Sequence, residues 1–301
     1  MKIVNLLPVY VVIFFIPMFL FAQKQKIQLV DELTKQPLQF VEILYDGENL
    51  FSDKNGNVLL DYNVNNIEIL DRNYLPNQIE ITSETHIVYL QNNVTELEEL
   101  VISKKPRTII KPQSKKIFDH FFIDSERIYL NEITFNSEYK NKYLRKISFK
   151  SVSELYGNIG GNLSPKDARI AKKTIKNTIQ LLRINIFDDN KKILFRSRPF
   201  EYTTNGKEFF EIDVEEDVLI GEKPLFVEIQ VIGALNADGV FLEDIKNISI
   251  RPQQTKLPPK EYRARLLVKE KNSNLDFRDL VKEKRLLESY INFGFEFEDS
   301  E

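Results

Sequence analysis

The sequence predicts an all-β protein in which a small β domain is followed by a larger antiparallel, jelly-roll-like β-sandwich carrying one or two short helices. Three observations carry that expectation. Apolar residues recur at every second position in many short runs, the rhythm of a strand with one face on a core. Clusters of Asn, Asp and Gly separate the runs, as in Ser52 to Asn57, Asp188-Asp189-Asn190 and Thr204-Asn205-Gly206. At least six such runs follow Tyr143, enough for a sandwich of their own.

In the first part of the chain, Ile27 and Leu29 flank Gln28, Val41, Ile43 and Tyr45 repeat the alternation, and Val58, Leu60 and Tyr62 do so again. The Asn55-Gly56 pair supplies the positive φ angles of a tight turn, so a hairpin is predicted there, joining two antiparallel strands.

The same stretch carries a family resemblance. Val30-Asp31, Pro37-Leu38, Val41, the Asp53-x-x-Gly56 turn, Asn73-Tyr74 and the closing Thr95-Glu96-Leu97-Glu98-Glu99-Leu100-Val101-Ile102 resemble the carboxypeptidase-regulatory-like domain of secreted and outer-membrane proteins of Bacteroidetes-type bacteria. The resemblance covers residues 25 to 102. It implies a small Greek-key sandwich similar to transthyretin, with no catalytic residues of its own. Gln28 stands where the family often has Gly, and Asn73 where a Gly-Tyr pair is usual, which puts the local turn geometry at issue more than the fold. Arg183 to Phe187, Asp188 to Lys191 and Phe209 to Val214 likewise resemble the β-sandwich that follows this domain in other secreted proteins of that type, a likeness that brings no activity with it.

The 301 residues, 42% of them hydrophobic, suffice for one large or two ordinary domains with packed cores. The expected division is a signal peptide over 1–22, the regulatory-like sandwich over 23–102, a basic linker over 103–116, the second sandwich over 117–252, and a C-terminal strand, helix and tail over 253–301 packed on it. A first domain this small buries only about 60% of its unfolded surface, which leaves it marginal unless it leans on a neighbour. The chain has no Cys, which excludes disulfides, thiolate metal sites, a cysteine nucleophile and a lipoprotein anchor. A net charge of −3 with acids and bases interspersed argues against a nucleic-acid partner.

Residues 1 to 22 read as an export signal: Lys2, an apolar run from Ile3 to Phe21, and the small residue Ala22 before Gln23, where cleavage is expected. Leu20 is larger than the usual residue at its position, and the alternative is an uncleaved anchor, since the run approaches the ~20 residues that span a bilayer. The expected location is the periplasm or the outer-membrane surface.

Ser103 to Lys116 holds six bases, two prolines and no acid, the composition of a solvated connector, and the same bases offer a peripheral contact to anionic lipid. Past it, Ile117, Phe121 and Phe122 have near-helical spacing. His120 in this stretch has only His86 as a second histidine, so both read as structural. In the second domain, Leu182, Ile184 and Ile186, then Phe210, Ile212 and Val214, then Leu225, Val227, Ile229 and Val231 alternate, and Phe226 to Gly233 is expected to be the central strand. Ser164-Pro165-Lys166-Asp167 starts a helix whose basic side is a solvated face or a membrane contact. Phe277, Leu280, Val281, Leu287 and Ile291 predict a second helix over Leu275 to Tyr290, and the tail from Phe293 to Phe297 an edge strand.

No chemistry-bearing motif appears. Gly157 to Gly161 lacks the Lys and Ser/Thr of a phosphate loop, Asp53, Asn55 and Asp61 lack the remaining ligands of a calcium loop, and Glu215-Glu216-Asp217 reads as a solvated turn. Neither a metal site nor a cofactor is expected. The chain therefore reads as a non-enzymatic exported envelope protein whose partner, an envelope protein or a glycan, docks on loops of the second sandwich: Tyr156, Asn158 and Asn162 in one, Asn236, Asp238 and Phe241 in another. A glycan-binding or glycan-active protein is the alternative, disfavoured by the lack of Trp and by 22 Phe that read as core.

Overall fold

The computed structural model describes residues 24–61, 66–93 apart from 72, 76, 77 and 83, 106–112, 123–152 apart from 125 and 126, 178–242 apart from 204–206, 249–271 apart from 256–259, 278–279 and 290–300. Among them the protein is all-β, its only helical element being a single 3-10 turn at Ser137–Tyr139. The strands fall into two compact units.

The first unit contains β1 (Lys24–Asp31), β2 (Glu42–Tyr45), β3 (Glu48–Phe51), β4 (Asn57–Asp61), β5 (Asn66–Ile69), β6 (Tyr74–Leu75), β7 (Gln78–Glu80) and β8 (Ile87–Asn92). They form two four-stranded sheets, ordered β4-β1-β8-β6 and β3-β2-β5-β7. Alternation does what the sequence predicts. Ile27, Leu29, Val58, Leu60, Val88 and Leu90 of one sheet meet Ile43, Ile67 and Ile69 of the other in a single core. β1 pairs with β8 in parallel, Gln28 opposite Ile87, and with β4 antiparallel, so the first strand lies inside its sheet.

The expected hairpin at Asn55-Gly56 is corrected. β3 and β4 lie in different sheets, and this turn carries the chain from one to the other. The hairpin sits one turn earlier, where Tyr45 pairs with Glu48 and both intervening residues, Asp46 (φ 46°) and Gly47 (φ 80°), are left-handed. Two such residues set the twist of a two-residue hairpin. At the crossover, Asp53 shapes the chain instead: one carboxylate oxygen accepts the backbone N–H of Asn55 and of Asn57, both at 2.8 Å. Gly56 (φ 74°) then presses its carbonyl to the Leu29 N–H at 2.8 Å. A Cβ on Gly56 would lie 2.5 Å from the Leu29 oxygen, which is why glycine occupies this position. Asn73 keeps its turn through hydrogen bonds of its N–H and side-chain amide to the Asp71 carboxylate.

The second unit is larger. One sheet consists of β9 (Arg107–Ile110), β10 (Ile123–Asp124), β12 (Lys142–Val152), β16 (Lys207–Leu219), β18 (Ser249–Pro252) and β23 (Gly294–Asp299). The other consists of β11 (Arg127–Phe135), β13 (Ile179–Phe187), β14 (Ile193–Arg196), β15 (Phe200–Thr203), β17 (Leu225–Leu235), β20 (Tyr262–Glu270) and β21 (Arg278–Asp279). A small ladder joins β19 (Gln254–Thr255) to β22 (Tyr290–Ile291). All pairings are antiparallel, and the chain crosses between sheets from β10 to β13 and again at β16, β17 and β18, as in a jelly roll. β17 lies between β13 and β11, the central position its sequence predicts. Its Leu225, Val227, Ile229 and Val231 face Leu144, Ile147 and Phe149 of the opposite sheet across a core that also holds Phe135, Tyr262, Phe295 and Phe297. Phe135 meets Phe295 and Phe297 edge-on at 5.0 and 5.2 Å, the arrangement that ring quadrupoles favour.

Three further expectations are corrected. Within the segment read as a linker, Arg107–Ile110 is a strand paired with β23, Phe295 opposite Ile110. The basic composition hid two isoleucines at adjacent positions, one buried and one outward. The tail is no edge strand: β23 runs between β12 and β9 in one sheet, burying Phe295 and Phe297, and β20 and β21 belong to the other, so the C-terminal segment is built into both sheets. Inside the helix predicted over Leu275 to Tyr290, Arg278 and Asp279 pair with Val268 and Leu267 on the open side of β20, where ladder hydrogen bonds outweigh a short apolar stripe. Tyr290 at its end pairs with Thr255 in the small ladder; the rest of that helix, the one predicted from Ser164, His120 and the signal segment lie outside the described residues. Among the described residues no helix is long and apolar enough to cross a membrane.

Candidate functional site

The site begins with a defect in β12. Its pairing with both β16 and β23 slips between Leu144 and Lys146, a bulge that changes which residues face the core. Leu144 is inward before it and Ile147 and Phe149 are inward after it. Lys146, Ser148 and Lys150 consequently point together to the outer face.

The register then places their neighbours. On one side Lys146 stands opposite Asp213, Ser148 opposite Glu211 and Lys150 opposite Phe209 of β16. On the other, Lys146 meets Glu296 and Ser148 meets Gly294 of β23, beyond which lie Ile109 and Ile110 of β9. Gly294 is low because it must be: a Cβ there would come within 2.5 Å of both Pro112 Cδ and Ser148 Oγ. The result is an open groove of about 590 Å³, floored by Ser148 and walled by Lys111, Lys146, Lys150, Phe209, Glu211 and Glu296.

Its polar groups are unevenly engaged. Arg107 Nη1 holds Glu296 Oε1 at 2.5 Å, and Lys146 Nζ lies 3.5 Å from Asp213 Oδ1. The Lys150 ammonium sits 5.6 Å from the centre of the Phe209 ring, a cation–π contact. Among the described residues no carboxylate holds Lys111 or Lys150, and no cation holds Glu211. Phe209 is 48% exposed and Ile109 57% exposed, so apolar surface remains open beside these charges. Such a lining can hold a ligand by ion pairs, hydrogen bonds and one aromatic platform. Among the described residues no group of His, Asp or Glu could hold a metal ion.

Of the two sequence-based loops, the one holding Asn236, Asp238 and Phe241 does not line this groove. Tyr156, Asn158 and Asn162 lie outside the described residues. The loop after β17 folds back on itself through an isolated bridge between Leu235 and Phe241 and a 2.9 Å hydrogen bond from Leu242 N–H to the Ala234 carbonyl. The Phe241 ring lies where a side chain on Gly233 would have to be, Asn236 is half-buried and Asp238 is exposed. Glu215, Glu216 and Asp217, read as a turn, belong to β16. His86 is exposed just before β8. A signal for the groove was present in Phe209-Phe210: adjacent strand residues face opposite ways, so the two aromatic rings cannot both be core.

Comparison with known protein families and with curated proteins finds no match. Among solved structures, the clostridial cysteine protease Cwp84 after propeptide cleavage aligns over 82% of this chain and 48% of its own, with 9% identity and a TM-score of 0.36. The chain thus spans about half the length of that protein.

Proposed function

We propose that this is a non-enzymatic exported envelope protein in which the first unit is a spacer and the second sandwich binds a ligand or partner in the groove beside Lys150 and Phe209. The observation that carries the reading is the half-exposed Phe209 beside two lysines that no carboxylate among the described residues holds. Phe209 and Ile109 both line the groove and stay about half exposed beside these charges, and binding needs only such a surface. The signal-like residues 1 to 22, with cleavage after Ala22, support export. The sequence matches between Val30 and Ile102, together with the two four-stranded sheets of the first unit, support a carboxypeptidase-regulatory-like domain.

Phe209 also favours glycan recognition over a protein partner, because the argument that every Phe is core does not hold for it. The test is retention of host envelope material on the immobilised mature protein, repeated with Lys150→Glu and Ser148→Arg variants. Material retained by the parent and lost by both variants supports the reading. Turnover of a peptide, ester or glycoside substrate by the purified chain would replace it with an enzyme.

A further inference from the structure

We propose that the groove takes an acidic oligosaccharide, a sugar chain bearing carboxylates; this rests on the groove being the ligand-binding face. Side chains two residues apart on one strand face are separated by about 6.8 Å, so Lys146 and Lys150 lie about 14 Å apart along β12 with the Ser148 hydroxyl between them. Lys111 adds a third cation on the wall formed by the chain after β9. The cations are thus spread along a channel, which suits a ligand with charges repeated along its length and not one with a single charged head.

The carboxylates narrow the class further. Glu211 faces Ser148, and Glu296 lies beside Lys146. A purely anionic surface such as a phospholipid membrane would meet repulsion from Glu211, whereas Glu296 is already paired with Arg107. A sugar chain has hydroxyls that donate to these carboxylates and carboxylates that accept from Lys111 and Lys150, so both kinds of group are satisfied at once. A neutral sugar would leave the two lysines as they are. The apolar side of a pyranose ring fits against Phe209, whose ring stays open beside the Lys150 ammonium. An acidic peptide would match the lysines but offers fewer hydroxyls for Glu211 and Ser148.

The experiment is calorimetric titration of the intact mature chain with a short oligogalacturonate, its fully methyl-esterified counterpart, polyglutamate and phosphatidylglycerol vesicles. Expected is binding to the oligogalacturonate that weakens with added salt, and at least about tenfold weaker binding of the ester, a difference of about 1.4 kcal/mol. Lys150→Gln and Phe209→Ala should each weaken it about tenfold while thermal melting stays unchanged, since both residues are exposed. Equal affinity for the ester, indifference to both variants, or tighter binding of polyglutamate or of the vesicles overturns the proposal. If envelope material is lost from the groove variants and no oligogalacturonate binds, the binding face stands and the ligand class falls. If neither depends on the groove, both fall.

Discussion

Asn185 donates its side-chain amide to Glu228 across neighbouring strands of the larger sheet, Nδ2 to Oε2 at 2.7 Å, and both residues are buried. The same amide reaches Gln230 Oε1 at 3.0 Å, which also accepts from Arg183 Nε and Nη2. Burial pushes the Glu228 carboxyl above its ordinary range, against the opposing pull of the Asn185 hydrogen bond and of Arg183, Lys271 and Arg196.

A carboxyl raised in the folded state binds its proton more tightly there than in the unfolded chain. Its contribution to stability is therefore greatest below the ordinary carboxylate range and falls as pH rises through the raised value. Glu228→Gln keeps an acceptor for Asn185 and removes the charge. It should flatten this fall and stabilise the protein at neutral pH by about 1 kcal/mol. Thermal melts from pH 4 to 8 check it, and a variant less stable than the parent at neutral pH contradicts it.

Gly56→Ala should destabilise the first unit by about 1–3 kcal/mol for the left-handed backbone alone, with the approach to the Leu29 oxygen adding to that. Denaturant unfolding followed through the tyrosines measures it. A cost below about 0.5 kcal/mol would mean the turn shifts freely, against the hydrogen bond from Leu29.

Arg107 should resist trypsin in the folded protein although its side chain is exposed, because its backbone is laddered to β23 opposite Glu298. Timed digestion with mass spectrometry identifies the cuts. Early cleavage after Arg107 would show that β9 is detached in solution.

Phe295→Ala should cost the second unit about 3–5 kcal/mol. The ring is 2% exposed and makes edge contacts with Phe135 at 5.0 Å and Tyr262 at 5.3 Å. Thermal melting of the variant against Phe209→Ala, which should melt like the parent, separates the inward ring from the outward one.

The fold was largely legible because burial at period two is a local property. Ile27 and Leu29, or Val227 and Ile229, reveal their strand and their inward face without knowledge of any partner. Partnership is another matter. Asn55-Gly56 and Asp46-Gly47 are both turn pairs by composition, and only the sheet to which each flanking strand belongs decides which closes a hairpin. Arg107 to Ile110 is a strand because Phe295 to Glu298 is available to pair with it, nearly two hundred positions along the chain. Beyond the outward ring at Phe209, the groove was illegible for the same reason. Lys111, Lys150, Phe209 and Glu296 come from four separate segments, brought together by register and by a bulge at Arg145 that no local pattern announces.

The parallel pairing of β1 with β8 also has a temporal side. As the polypeptide emerges N-terminus first, β1 can find β4 early, but its other flank stays open until Ile87 to Asn92 has followed. The first unit therefore cannot close its sheet on a half-finished chain. A contact of such long sequence separation is slow to form, and an open strand edge in the meantime is a place where nascent chains adhere to one another or to a chaperone. A truncation that ends before β8 should accordingly aggregate more than one that ends just after Asn92.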